Sequence, residues 1–218
     1  MKKIFLAFCL TAISGLAAFA QTSDDFKKGE VYVGYSNNQV DTGFNGEGAD
    51  GIEEFFNERE SFNGFEAAGV YNFSRYVGIK GDVSGTYKSE TFSVTVPNGG
   101  GTSTFSADTK LSLYNFLGGV QIKDNANKGR FKPFAHALVG AGHARAKVDN
   151  LTCPTGVDCV GLEDTITRTG FAGAFGGGID VRLNNKFDVR AIQIDYNPMR
   201  FDGQTQHNVR FGVGLVIK

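Results

Sequence analysis

Glu66, Lys80 and Asp82 are the charged members of a stretch that alternates strictly between two faces. Along 64–88, Phe65, Ala67, Gly69 and Tyr71, then Val77, Ile79, Gly81, Val83, Gly85 and Tyr87, share an apolar face. Glu66, Lys80, Asp82, Ser84, Thr86 and Lys88 share the other. Period two over this length is a pair of strands, each with one apolar and one polar face, joined by the polar turn Asn72-Phe73-Ser74-Arg75. Arg190, Asp195 and Arg210 are the matching charges in two later alternating stretches. Arg190 and Asp195 differ in parity, so both share a face only if a bulge lies near 191–192. In a membrane barrel a basic residue on the lipid face costs roughly 2–4 kcal/mol at mid-depth, which drives all six charges inward. There they must be paired and hydrogen-bonded. A structural salt-bridge network is the expected role; an ion path or gate and an active site are the alternatives.

Other residues suggest other chemistry. Cys153 and Cys159 are the only cysteines beyond residue 20 and lie in a polar segment. In an exported chain that arrangement predicts a disulfide, worth roughly 2–3 kcal/mol for so short a loop. The spacing is not that of a C-x-x-C redox pair. His136, His143 and His207 have no serine near them on their own faces, so a Ser/His/acid hydrolase site has little support, and no catalytic residue is assigned. Asp41-Thr42-Gly43-Phe44-Asn45-Gly46-Glu47 resembles the start of a calcium loop. However, Gly43 replaces a ligand and Ile52 stands where the closing Glu belongs. No metal and no cofactor are expected. Ile52, Phe55, Phe56 and Phe62 alternate with acids; they pack over a barrel mouth or face a partner.

The elements that hold these residues follow from the ends and the composition. Lys2 and Lys3, an apolar run from Ile4 and Ala18-Phe19-Ala20 form a secretory leader with cleavage expected after Ala20. Residues 1–20 are thus the expected signal peptide and 21–218 the mature domain. Lys and Arg number 22 against 23 Asp and Glu, so no basic field for nucleic acid exists. No later run is long and apolar enough for a spanning helix, so a membrane crossing must use strands. Thirty glycines and four prolines fit curved, fully paired strands.

Eight strands are expected, near 29–36, the two strands of 64–88, 104–122, 130–148, 165–182, 186–197 and 207–218. Long polar connections at 37–61, 97–103, 149–164 and 198–206 alternate with short turns. That asymmetry is the outer-membrane pattern, with long loops outside and both termini in the periplasm. The predicted fold is all-β, an eight-stranded antiparallel up-and-down transmembrane β-barrel, and its narrow interior is filled by side chains.

YNFSRYVGIKGDVSG (71–85), FKPFAHALVGAGHARA (131–146) and VRAIQIDYNP (189–198) resemble the OmpA-like outer-membrane β-barrel domain family. The resemblance implies eight antiparallel strands, a polar hydrogen-bonded interior and exposed outer loops. Two features depart from it: Lys218, not an aromatic, is last, and no peptidoglycan-binding domain follows the barrel. The chain is therefore expected in the outer membrane of a Gram-negative bacterium, in contact with outer-membrane lipid. Its expected role is structural or one of surface interaction, with partners met through 37–61, 97–103 and 149–164. A narrow channel for ions or small solutes is the alternative, followed by a secreted soluble ligand-binding barrel with the faces reversed.

Overall fold

The computed structural model describes residues 26–41, 59–98, 101–152 and 164–218. They form β1 (Gly29–Asp41), β2 (Arg59–Asn72), β3 (Val77–Asn98), β4 (Gly101–Lys123), β5 (Phe131–Thr152), β6 (Asp164–Arg182), β7 (Phe187–Phe201) and β8 (Gln204–Ile217). Each strand pairs antiparallel with the next, and β1 pairs with β8 from Val31↔Ile217 to Gln39↔Val209, closing the barrel. Closure removes the free edges that hydrocarbon would leave unsatisfied. The expected leader, the Cys153–Cys159 pair and residues 42–58 lie outside the described residues.

The two faces decide the solvent. Ile79, Phe116, Val120, Val139, Phe175, Ile194 and Val213 all point outward and are exposed. Glu66, Lys80, Asp82, Arg190, Asp195 and Arg210 are buried inside. An apolar band of this kind is untenable in water and is what lipid requires. This overturns the soluble alternative, which needs the faces reversed. Tyr35, Phe65, Tyr87, Tyr114 and Tyr196 line the upper edge of the band; Tyr71, Phe73, Tyr76 and Phe131 line the lower. These are the aromatic girdles of an outer-membrane barrel.

Several connections are shorter than polarity alone suggests. β1 runs to Asp41 and β2 starts at Arg59, so the connection is 42–58 rather than 37–61. β3 and β4 pair up to Asn98↔Gly101, and β5 ends at Thr152. Polar side chains continue these ladders above the apolar band. Asn37 Nδ2 donates to Ser61 Oγ (2.6 Å) and Asn63 Oδ1 (2.9 Å), and Thr91 Oγ1 donates to Asp108 Oδ1 (2.7 Å). The expected loop at 198–206 is in fact a tight hairpin. Phe201 pairs with Gln204, and Asp202 and Gly203 take φ of 49° and 86°, the Asp-Gly signature of a two-residue turn with both central residues left-handed. Pro198 therefore sits within β7, opposite His207. The β6 ladder lapses there, and the Asn197 side-chain amide bonds the Gly173 carbonyl.

At the other end the turns are tied to one another. Arg75 forks onto Asp124 at 2.9 and 3.0 Å, joining the β2–β3 and β4–β5 turns. That guanidinium holds the Asp124 carboxyl below the usual carboxylate range. Asn184 Oδ1 accepts the backbone N–H of Lys186 and of Phe187 in the β6–β7 turn.

Candidate functional site: the filled lumen and the outer mouth

The inward charges are brought together by register. Lys80 and Asp82 alternate on β3, Glu66 enters from β2 and Arg210 from β8. β7 supplies two members of opposite parity because its register with β8 slips between Arg190 and Gln193, while its register with β6 slips between Ile179 and Asp180. The extra residue is a bulge, and 191–192 both face outward while Arg190, Gln193 and Asp195 face in.

Arg210 is the centre. Its guanidinium donates to Asp82 Oδ1 at 2.9 Å, to Ser84 Oγ at 3.1 Å and to Asp195 Oδ2 at 2.7 Å, and it lies 3.7 Å from Glu66. Lys80 Nζ is 3.4 Å from Asp82 and 3.7 Å from Glu66. His136 Nε2 is 2.9 Å from Asp195, and its Nδ1 is 3.3 Å from Lys80 Nζ. Gln193 bridges Glu66 and Asp195. Glycine makes room for this crowd: a Cβ at Gly176 would collide with Asp195 Oδ1 and with the Ile194 carbonyl oxygen.

A second layer lies nearer the periplasm. Arg190 donates to Asp180 at 2.9 Å, and Lys123 bonds both Asp180 and Glu30. The Arg190 guanidinium is stacked between the rings of Tyr32 and Phe134, at 4.2 and 4.0 Å from their centroids, so cation–π attraction adds to the ion pair. Below it, Lys132 and Lys218 share Asp188 at 3.2 and 2.6 Å. Asp180, Lys123, Glu30 and Asp188 were not among the residues singled out from sequence, and His136 was weighed there only as a hydrolase candidate, not as a member of the network. Strand parity carried the signal, since Lys123 has the opposite parity to Ile122 and Asp180 to Ile179.

The outer half of the lumen has a different chemistry. Leu113, Leu117, Leu138, Ala172, Ala174 and Met199 form an apolar plug with Val40 and Phe62. Leu138, Ala172, Ala174 and Met199 expose no surface. The top of the plug floors a cavity of about 300 Å³ that opens at the mouth, lined by Val40, Phe62, Leu111 and Leu113 and edged by Glu60 and Arg168.

The remaining histidines lie on the outer wall. His143 Nδ1 is 2.7 Å from Thr169 Oγ1, and His207 bonds Tyr196. Among the described residues no group of three His, Cys, Asp or Glu is placed to hold a metal ion.

A closed antiparallel barrel with lipid-facing aromatics and a charged, packed interior is an integral outer-membrane protein. The chain belongs to the outer membrane protein β-barrel domain family, whose pattern it matches over residues 6–216. It resides in the outer membrane of a Gram-negative bacterium. Two solved structures of Ail, the attachment invasion locus protein of Yersinia pestis, share its fold. One, in complex with the heparin analogue sucrose octasulfate, is 18% identical, with a TM-score of 0.52, and covers 87% of this chain and 99% of that one. The other is 18% identical, with a TM-score of 0.51, and covers 87% and 97%. Neisserial surface protein A is 11% identical, with a TM-score of 0.46, and covers 87% and 96%. No curated protein matches the sequence.

Proposed function

We propose that this protein is a non-catalytic surface-interaction protein, in which the barrel is a rigid base and the outer strand ends and loops are the contact surface. The observation that carries this reading is the combination of a filled lumen with uneven strands. β3, β4 and β5 have 22, 23 and 22 residues, whereas β1, β2 and β8 have 13, 14 and 14. A spanning strand needs roughly 9–11 residues. The long strands therefore continue about a dozen residues past the bilayer, about 40 Å along the strand. A platform raised on one side of the mouth suits contact with another surface. Cleavage after Ala20 and a Cys153–Cys159 disulfide in the β5–β6 connection belong to the same reading. Attachment by Ail, and its complex with a heparin analogue, indicate one class of partner to test first: sulfated polysaccharide.

The channel alternative is disfavoured by the plug. Leu138 and Met199 block the outer half, and charge pairs occupy the inner half. The test has two parts. Cells displaying the protein, and cells displaying a form in which 89–107 is replaced by a short turn, are compared for adhesion to polysaccharide-coated surfaces. Purified protein is also recorded in planar bilayers. Adhesion that depends on the raised hairpin, with no discrete conductance, supports display. Unit conductance steps with no hairpin-dependent adhesion would sink it.

A further inference from the structure

Above the upper girdle the outer wall is not uniform. On β4, Tyr114 belongs to the girdle, and the next outward positions are Ser112, Lys110 and Asp108. On β5 the outward sequence is His143, Arg145, Lys147 and Asp149. The register pairs Tyr114 with His143, Ser112 with Arg145, and Lys110 with Lys147. β6 adds Thr167 beside Arg145 and Thr165 beside Lys147. Three cations and several hydroxyls thus share a small area, one and two outward steps beyond the girdle. Each step is two residues, about 7 Å along a strand.

Two facts make this patch unusual. Lys110 and Lys147 are direct cross-strand partners, an arrangement that repels. Both reach the one carboxylate, Asp149 Oδ2, at 3.1 and 2.6 Å. Arg145 is exposed, and no described residue holds its guanidinium in a hydrogen bond or ion pair. The same height on the β1–β2 wall carries Asn37, Gln39, Ser61 and Asn63. These are neutral and bonded among themselves. Only one of the two walls is left with positive charge to satisfy.

We propose that Lys110, Arg145 and Lys147 form a site on the outer wall for the phosphate groups of an outer-leaflet glycolipid. The side chains point sideways, toward the lipid ring, rather than up toward the loops. They start one step above aromatic rings that sit at headgroup depth, where lipid phosphates lie. Arg145 offers a planar fork for phosphate oxygens and the lysines two point charges. Ser112 and Thr167 add hydroxyl donors. Asp108, a step higher on β4, opposes anions above that level and so limits the depth.

The test uses the folded protein in a neutral detergent and bisphosphorylated lipid A as the probe, with fully dephosphorylated lipid A as its control. The triple variant Lys110→Gln/Arg145→Gln/Lys147→Gln changes only outward side chains, and its heat-dependent gel mobility verifies folding. Arg145→Gln alone serves if the triple variant does not fold. The triple variant is expected to bind bisphosphorylated lipid A at least tenfold more weakly and dephosphorylated lipid A unchanged. Asp149→Asn is expected to tighten binding, because it frees both lysines. Unchanged affinity in the triple variant, or equal loss for both lipids, overturns the site. Competition by inorganic phosphate as effective as that by lipid A would reassign it to free anions. Loss of heparin binding with lipid A binding intact would reassign it to soluble polysaccharide.

Discussion

Replacing Arg210 by Met removes the cation on which the lumen network converges and keeps most of its volume. Three buried carboxylates, Glu66, Asp82 and Asp195, are then left with Lys80, 3.7 and 3.4 Å from the first two, and with His136 beside Asp195. Arg210 has no exposed surface, and its contacts are 2.7–3.1 Å to two carboxylates and a hydroxyl. Removing one partner of such a buried pair costs about 3–5 kcal/mol, so the unfolding constant should rise by roughly a thousandfold. Asp195→Asn in the same chain removes one stranded charge, and the double variant should recover a measurable part of the loss. Urea unfolding in lipid vesicles measures both. The chain has no Trp, so the folded fraction is read from unboiled gel mobility or circular dichroism. A loss below about 1 kcal/mol, the range of exposed pairs, would refute the reasoning. It would mean that water screens the network, and the lumen would then have to be treated as hydrated and open to ions.

Further outcomes follow from individual positions. Val139 is exposed on the lipid face near mid-band, so Val139→Arg should cost roughly 2–4 kcal/mol and lower the heat-modifiable fraction recovered in outer membranes. Ile79 is a weaker probe, because it pairs with Tyr71 of the lower girdle. Gly176→Val would drive a side chain into Asp195 and the β7 backbone, and should destabilise by well over the ~0.5 kcal/mol within which surface substitutions usually fall; thermal unfolding in detergent measures it. At the periplasmic rim, burial, assisted by Lys132 and opposed by Asp188, pulls the Lys218 ammonium down to about 8 from its ordinary 10.5. The folded protein releases this proton before the unfolded chain does, so stability should rise with pH between about 8 and 10. Lys218→Met should flatten that rise, as urea unfolding of the two forms across the range would show.

Much of the barrel was legible because a membrane strand obeys one rule along its length. Residues 64–72, 77–88 and 114–122 alternate without a break, and lipid outside with packed charge inside fixes the assignment of Ile79 and Lys80. The outer ends were harder. Asn37 and Ser61 read as loop because their stretches are polar on both faces, yet above the girdle a strand needs no apolar face and is held by its ladder and by hydroxyl and amide pairs. Asp202-Gly203 is a turn dipeptide, but it sits inside a run from Pro198 to Gln206 that reads as a loop. Pro198 is tolerated where the β6 ladder lapses. The apolar plug had no signature of its own. Leu113, Leu117 and Leu138 have the inward parity of charged neighbours, and only closure of the barrel shows that they meet Met199 and Ala172.

The division of the lumen bears on why such an interior persists. A buried charge network is weak evidence for stability, since a well-packed apolar core often does as well. In a barrel, however, polarity inside separates the two faces of every strand. A one-residue slip of β3 would turn Lys80 and Asp82 into lipid and Ile79 and Val83 into the lumen, so the network sets the register at a cost the membrane enforces. The Arg190–Asp195 bulge shows the same constraint from the other side: β7 accepts an extra residue, and with it both charges face inward. Once register is secured in the inner half, the outer half is free to be apolar. Leu138 and Met199 can seal it without specifying anything, and the strands above it can lengthen on one side. Those outer strands are where a partner would bind, and the network beneath keeps them in place without touching it.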